Sequence, residues 1–229
     1  MAELLDMFAF LAVLLRGVTL ALQTLIVGGI IYTFVVVKPL SVPFDSVAHC
    51  IRSSCRQTVT WSALALALTQ SLYLCIQSAV LIEAASMKLN EVVGANFFLA
   101  GSATVLAALM IAAFGCTERQ RTSWGLLMSG MIILSASVLT SHAFGRLEHR
   151  WPLGLATAVH QAATASWIGG IPYLVLSLRR CSDIQAARTL SEGFSRLALV
   201  SVAILVTAGV ALSLAYVHSL DALYGTSTV

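Results

Sequence analysis

Charged residues are scarce in this sequence of 229 residues: Asp, Glu, Lys and Arg together make up only 10% of it. A soluble domain carries about 25% charged residues, whereas 59% of this chain is hydrophobic. The composition therefore excludes a water-soluble enzyme and predicts a protein that crosses a membrane several times. The net charge of +3 is too small to indicate a nucleic-acid partner, and basic cytoplasmic loops account for it.

Signals for processing and for common catalytic chemistry are lacking as well. The chain begins MAELLDMF, with acidic residues where a secretory signal needs a basic region, so no cleaved signal peptide is predicted. The sequence contains no nucleotide-binding loop, no Ser-His-Asp order and no carboxylate pair placed for acid–base catalysis. We therefore expect a protein that is not an enzyme.

Long hydrophobic runs are what the sequence has in abundance. A membrane-spanning helix needs about 20 apolar residues, and six runs approach or exceed that length. They predict an all-α integral membrane protein, a single domain over residues 1–229 built as a bundle of about six transmembrane helices. The predicted spans are about 17–37, 59–81, 92–114, 124–144, 152–178 and 194–217.

The basic residues predict how the bundle is oriented. Nine of the 13 Lys and Arg residues lie in the loops between spans one and two, three and four, and five and six. Loops rich in Lys and Arg stay in the cytoplasm. Both termini are therefore predicted to be periplasmic.

Histidines gather at the predicted periplasmic side. His142 ends the fourth run, His149 lies in the turn that follows, and His218 follows the sixth run. His160 lies inside the fifth run, roughly 12 Å along the helix from Pro152 at 1.5 Å per residue. An ionisable side chain at that depth is a candidate functional residue, although a hydrogen bond to Ser or Thr of another helix would also explain it. Since a short loop joins antiparallel neighbours, His142 and His160 are expected to lie close together.

Most of the thiols lie at the opposite, predicted cytoplasmic side. Thiols in that reducing compartment stay free. The plain interpretation is that they are small hydrophobic or inert loop residues; the alternative is a thiolate-rich exit path for a soft metal such as Cu(I). The four cysteines on this side are Cys50, Cys55, Cys116 and Cys181.

Three segments carry a resemblance to a known family. They are LTSHAFG at 139–145, the pattern H-x6-W-I-G-G from His160 to Gly170, and GFSRLALVSVAILVTAGV at 193–210. In these segments the chain resembles the CopD-type bacterial copper-resistance membrane proteins, which carry a copper resistance D domain, and the likeness is best over 139–225.

The resemblance implies a multi-pass protein of the bacterial inner (plasma) membrane that takes part in copper uptake, transport or resistance. It implies a periplasmic copper-binding protein as partner, and His142 and His160 as copper ligands, with His149 and His218 as further candidates. Members of the family commonly continue through about two more helices. The resemblance therefore implies either a short member of the family or a bundle that another membrane subunit, or a second copy of the chain, completes.

Two alternatives to copper handling stay open on the sequence. The family is similar in plan to membrane cytochromes b, so His142 and His160 could instead be the axial ligands of haem b in an electron-transfer subunit. The chain could also be a structural membrane subunit without a cofactor, whose histidines only form hydrogen bonds between helices.

Overall fold

The computed structural model describes residues 2–40, 43–115, 122–141 and 150–216, and these ranges contain helices but no strand. The predicted all-α fold is confirmed in this part of the chain. The helices are α1 (Ala2–Tyr32), α2 (Lys38–Leu40), α3 (Asp45–Ala85), α4 (Leu89–Gly94), α5 (Asn96–Gly115), α6 (Thr122–Leu139), α7 (Arg150–Trp167), α8 (Ile171–Arg180) and α9 (Ile184–Tyr216).

Four helical stretches in the described ranges are long and apolar enough to cross a membrane. They correspond to the predicted spans one, two, three and six, and they support the prediction of a membrane protein. The apolar part of α6, Trp124–Leu139, is shorter. The count of six spans and the periplasmic termini stay predictions. The four stretches are Phe10–Leu40, Asp45–Glu83, Asn96–Gly115 and Ile184–Ala215.

The fifth predicted span, 152–178, is not one continuous helix. It divides into α7 and α8, separated by a turn at residues 168–170. Pro172 is the cause, because it has no N–H to donate and its ring clashes with the carbonyl of Ile168, four residues earlier. The helix restarts after the turn, where the N–H groups of Tyr173 and Leu174 donate to the carbonyl of Gly170 at 3.1 and 3.0 Å.

A wide turn lets the first span pass a proline without breaking. Residues Thr33–Val37 form a π-helical segment between α1 and α2, and the N–H of Lys38 donates to the carbonyl of Thr33, five residues earlier. Pro39 follows directly and would clash with a carbonyl in a regular α-helical turn. The wider turn removes that clash, so the helical rod continues to Leu40.

Helix α1 occupies the centre of the bundle. It contacts α3, α6 and α7, while α5 packs between α3 and α6, and α9 packs along α7. The buried core is formed mainly by side chains of α1 and α3, with contributions from α5, α6, α8 and α9. Because lipid is as apolar as these side chains, close packing rather than expulsion of water holds such helices together.

The closest backbone approach lies where α1 crosses α7. A Cβ atom on Gly28 would overlap the carbonyl oxygen of Ala165 and lie 2.7 Å from the Cα atom of Gly169. A Cβ atom on Gly169 would in turn overlap the carbonyl oxygen of Thr24. Ala165 and Gly169 are four residues apart, which is the spacing of small residues typical of tight membrane-helix contacts. Glycine at position 169 therefore admits the backbone of α1.

Candidate functional site

His160 lies on α7 against the opposing helix α9. A Cβ atom on Gly209 of α9 would lie 3.7 Å from Cε1 and 3.8 Å from Nδ1 of the imidazole, which is ordinary van der Waals contact. A larger side chain at position 209 would occupy the space beside the ring. The helix pair α7–α9 therefore holds the imidazole, and glycine at position 209 leaves the ring without a side-chain contact from that position.

The Nδ1 atom of His160 is buried and forms no hydrogen bond to any described residue. Thr164, one turn further along α7, donates its hydroxyl to the backbone carbonyl of His160 at 2.9 Å and not to the ring. A buried polar atom without a partner costs about 1–3 kcal/mol. Within the described residues, no hydrogen bond between helices satisfies Nδ1. A bound ligand at Nδ1 would offset the free-energy cost of burying it.

The other histidine candidates cannot be placed beside His160. His142, His149 and His218 lie outside the described residues, as does Cys116. Within the ranges that are described, no three His, Cys, Asp or Glu side chains converge on a point that could hold a metal ion. His160 is thus the one predicted histidine ligand whose surroundings the structure describes.

The predicted thiol pair on α3 does not converge. Cys50 is exposed, whereas Cys55 is fully buried. Five residues along a helix of 3.6 residues per turn place the two side chains about 140° apart. Cys181, half-buried after α8, donates its thiol to the carbonyl of Asp183 at 3.2 Å. A shared site for Cys50 and Cys55 is therefore not formed.

Cys55 instead belongs to a buried polar cluster between α1, α3 and α8, which sequence reasoning did not predict. Its Sγ atom lies 4.0 Å from Oγ of Ser177, and that hydroxyl donates to the carbonyl of Tyr173 at 2.7 Å. The hydroxyl of Tyr32 lies near Ser177 and that of Tyr173 near Ser62, but neither meets hydrogen-bond geometry with a described residue. Only contacts between distant helices reveal this cluster, so no local sequence signal could have found it.

Labelling of single-cysteine variants tests both the burial of these thiols and the predicted orientation. A membrane-impermeant maleimide should label Cys50 in inverted membrane vesicles but not from outside intact cells. Cys55 should resist the reagent in both preparations because its side chain is fully buried, and should react only after denaturation. Cys50 is the matched control, since it lies on the same helix. Labelling of Cys50 from outside would overturn the orientation, and rapid labelling of native Cys55 would contradict its burial.

Comparison of the chain with models of known protein families, with curated proteins and with solved structures gave no match. The expected family therefore depends on the sequence segments at 139–145, 160–170 and 193–210 alone.

Proposed function

We propose that this chain is a copper-handling protein of the bacterial inner membrane and that His160 binds the copper ion it handles. The observation that carries the proposal is the buried Nδ1 atom of His160, which has no partner among the described residues. Imidazole is a suitable ligand for copper in proteins. Copper is here the cargo of the protein.

The surroundings of His160 fit a metal ligand. The ring lies against Gly209, where no side chain competes for the space next to Nδ1. A ligand stabilises an imidazole between apolar helices more than it stabilises one in water, because a polar atom left unpaired in an apolar environment has a high free-energy cost. Ionisable residues inside membrane bundles characteristically mark the paths of substrates and ions.

The remaining ligands are proposed to come from the segment that joins α6 to α7. This segment contains His142 and His149, and the two helices it joins contact each other. Its ends, at Ser141 and Arg150, are the last and first described residues on either side. His142 is the preferred second ligand, with His149 of the same segment as a further candidate; His218, which follows α9 in the sequence, is a candidate from outside this segment.

In the proposed arrangement α6 is the fourth crossing, and α7 with α8 is the fifth. Both termini are then periplasmic, and His160 lies ten residues, about 15 Å, along the helix from Arg150. With Arg150 at the outer interface, that position is near the middle of a hydrocarbon layer about 30 Å thick, and copper delivered by a periplasmic copper-binding protein would enter from the outer face. The exposed thiol of Cys50 is at the opposite end of the bundle.

Titration of the purified protein with copper, together with its absorption spectrum, tests the proposal. We expect saturable copper binding and no strong Soret band. Mn²⁺ is the control ion, since nitrogen ligands bind it much more weakly than copper. A strong Soret band in the purified protein would instead establish the haem b alternative. If the protein binds neither copper nor haem, the result would support the alternative of a structural membrane subunit without a cofactor.

A further inference from the structure

A polar cleft lies apart from His160, at the end of the bundle where α1 begins. It opens between α1, α3, α5 and α6, and its cavity volume is about 40 Å³. Its lining includes hydroxyl and amide side chains of Thr19, Gln70 and Thr104, together with the Arg16 side chain. An arginine is rare in the apolar helices of this bundle, so its meeting with hydroxyl and amide side chains at one place points to a polar ligand.

Among the described residues, no carboxylate balances the positive charge of the cleft. Arg16 is the only charged residue that the described part of the chain contributes to the lining, and no described Asp or Glu does so. Among the described residues, the Arg16 guanidinium donates to the carbonyl of Thr140 at 3.4 Å, which is longer than an ordinary hydrogen bond of about 2.7–3.2 Å. Arginine has five N–H donors, and most of those of Arg16 form no hydrogen bond to a described residue.

The floor of the cleft supplies further donors. Thr19 is only 6% exposed, and its hydroxyl forms no hydrogen bond within the described ranges. Gln70 is 7% exposed and lies over Gly101, where a Cβ atom would come within 2.7 Å of the amide nitrogen. Glycine at position 101 therefore makes room for the Gln70 amide at the cleft wall.

The position of the cleft along the first helical rod matches the level of lipid headgroups. Arg16 and Lys38 are separated by 22 residues along the first helical rod, about 33 Å at 1.5 Å per residue. The hydrocarbon core of a bilayer is about 30 Å thick. This separation suits a helix with the two cations at opposite interfaces, and in that arrangement the Arg16 cleft would open at the level of the phospholipid phosphates.

We propose that this cleft binds one phosphate-class oxyanion. Arg16 provides the charge partner, and the Thr19 hydroxyl and Gln70 amide donate hydrogen bonds to it. The depth of the cleft favours the phosphate of an anionic phospholipid as the source over free phosphate. The positive charge of Arg16 repels a copper cation, so this oxyanion site is separate from the site proposed at His160.

Native mass spectrometry of the delipidated protein in neutral detergent tests this proposal. The probes are phosphatidylglycerol, phosphatidylcholine and inorganic phosphate, each titrated against the parent protein, Arg16→Gln and Thr19→Val. We expect phosphatidylglycerol to bind the parent best, and Arg16→Gln to weaken that binding about tenfold or more, because hydrogen bonds to charged groups are the strong ones. Thr19→Val should weaken it by a smaller factor.

Lys88→Gln is the matched control, since it removes one exposed positive charge near the same end of the bundle but outside the cleft. It should bind phosphatidylglycerol as the parent does, and Arg16→Gln should keep the parent's copper content and thermal stability. Arg16-dependent binding of inorganic phosphate without lipid selectivity would support the site with a soluble anion as its source. Equal binding of every probe to the parent and to Arg16→Gln, or no binding to the parent, would overturn the proposal.

Discussion

Replacement of His160 by alanine is expected to abolish copper binding. The imidazole is held between α7 and α9, with Nδ1 buried and no described partner. A buried site that loses one of few ligands cannot recruit water cheaply inside the hydrocarbon region. Copper per mole of protein, measured after removal of loosely bound metal, should fall from the parent value to background.

Variants of the other histidines distinguish the loss of a copper ligand from a general effect of substitution on the protein. His142→Ala should lose nearly as much copper as His160→Ala, and His149→Ala should lose less, because solvent can replace a ligand from a turn. His49→Ala is the control: His49 is exposed on α3, at the end of the bundle away from α7's first turns. If His160 only formed a hydrogen bond, His160→Ala would cost about 0.6 kcal/mol of stability and leave the metal content unchanged. Full copper content in His160→Ala would therefore show that the site assignment is wrong.

The second large effect is expected at the helix crossing. Gly28→Ala should lower the free energy of unfolding by about 3 kcal/mol, the upper part of the range for overpacked cores. The added methyl group would overlap backbone atoms of Ala165 and Gly169, which cannot move aside as a flexible side chain can. Equilibrium unfolding in mixed detergent micelles, followed by tryptophan fluorescence, measures the change.

Gly17→Ala is the control for this substitution. Gly17 lies on the same helix, and an added Cβ atom would meet nothing within 4 Å. Its stability should equal or slightly exceed that of the parent, since alanine is the better helix former. Equal unfolding midpoints for Gly28→Ala and Gly17→Ala would contradict the close crossing of α1 and α7.

Local chemistry explains the parts of the fold that could be predicted from sequence. Low charge and runs of about 20 apolar residues are sufficient to predict helices in a membrane, and the described ranges contain four helices long and apolar enough to cross one. The break after Trp167 follows from Pro172 itself. These features depend on residues close together along the chain, which is why they can be read from it.

Which residues of a helix face the core and which face outward could not be predicted in the same way. Cys50 and Cys55 belong to one loop in the sequence, yet α3 extends over both, and its rotation buries one thiol and exposes the other. The predicted span began only at residue 59, because the polar side chains before it resemble a loop. Packing against α1 and α8 stabilises the helix there in spite of its composition.

Helical structure, apolar runs long enough to cross a membrane and the effect of Pro172 on the fifth run all follow from residues that are near one another along the chain. The same is true of His160, because a histidine within an apolar run stands out in the sequence. The contact of His160 with Gly209, the crossing of Gly28 and Gly169, and the cleft shared by Arg16, Thr19 and Gln70 depend instead on how the helices pack. The hydropathy of a run is an average over neighbouring residues, so it contains little information about the rotation of the helix around its axis. The contacts between helices depend on that rotation, because it sets which side chains face each neighbour.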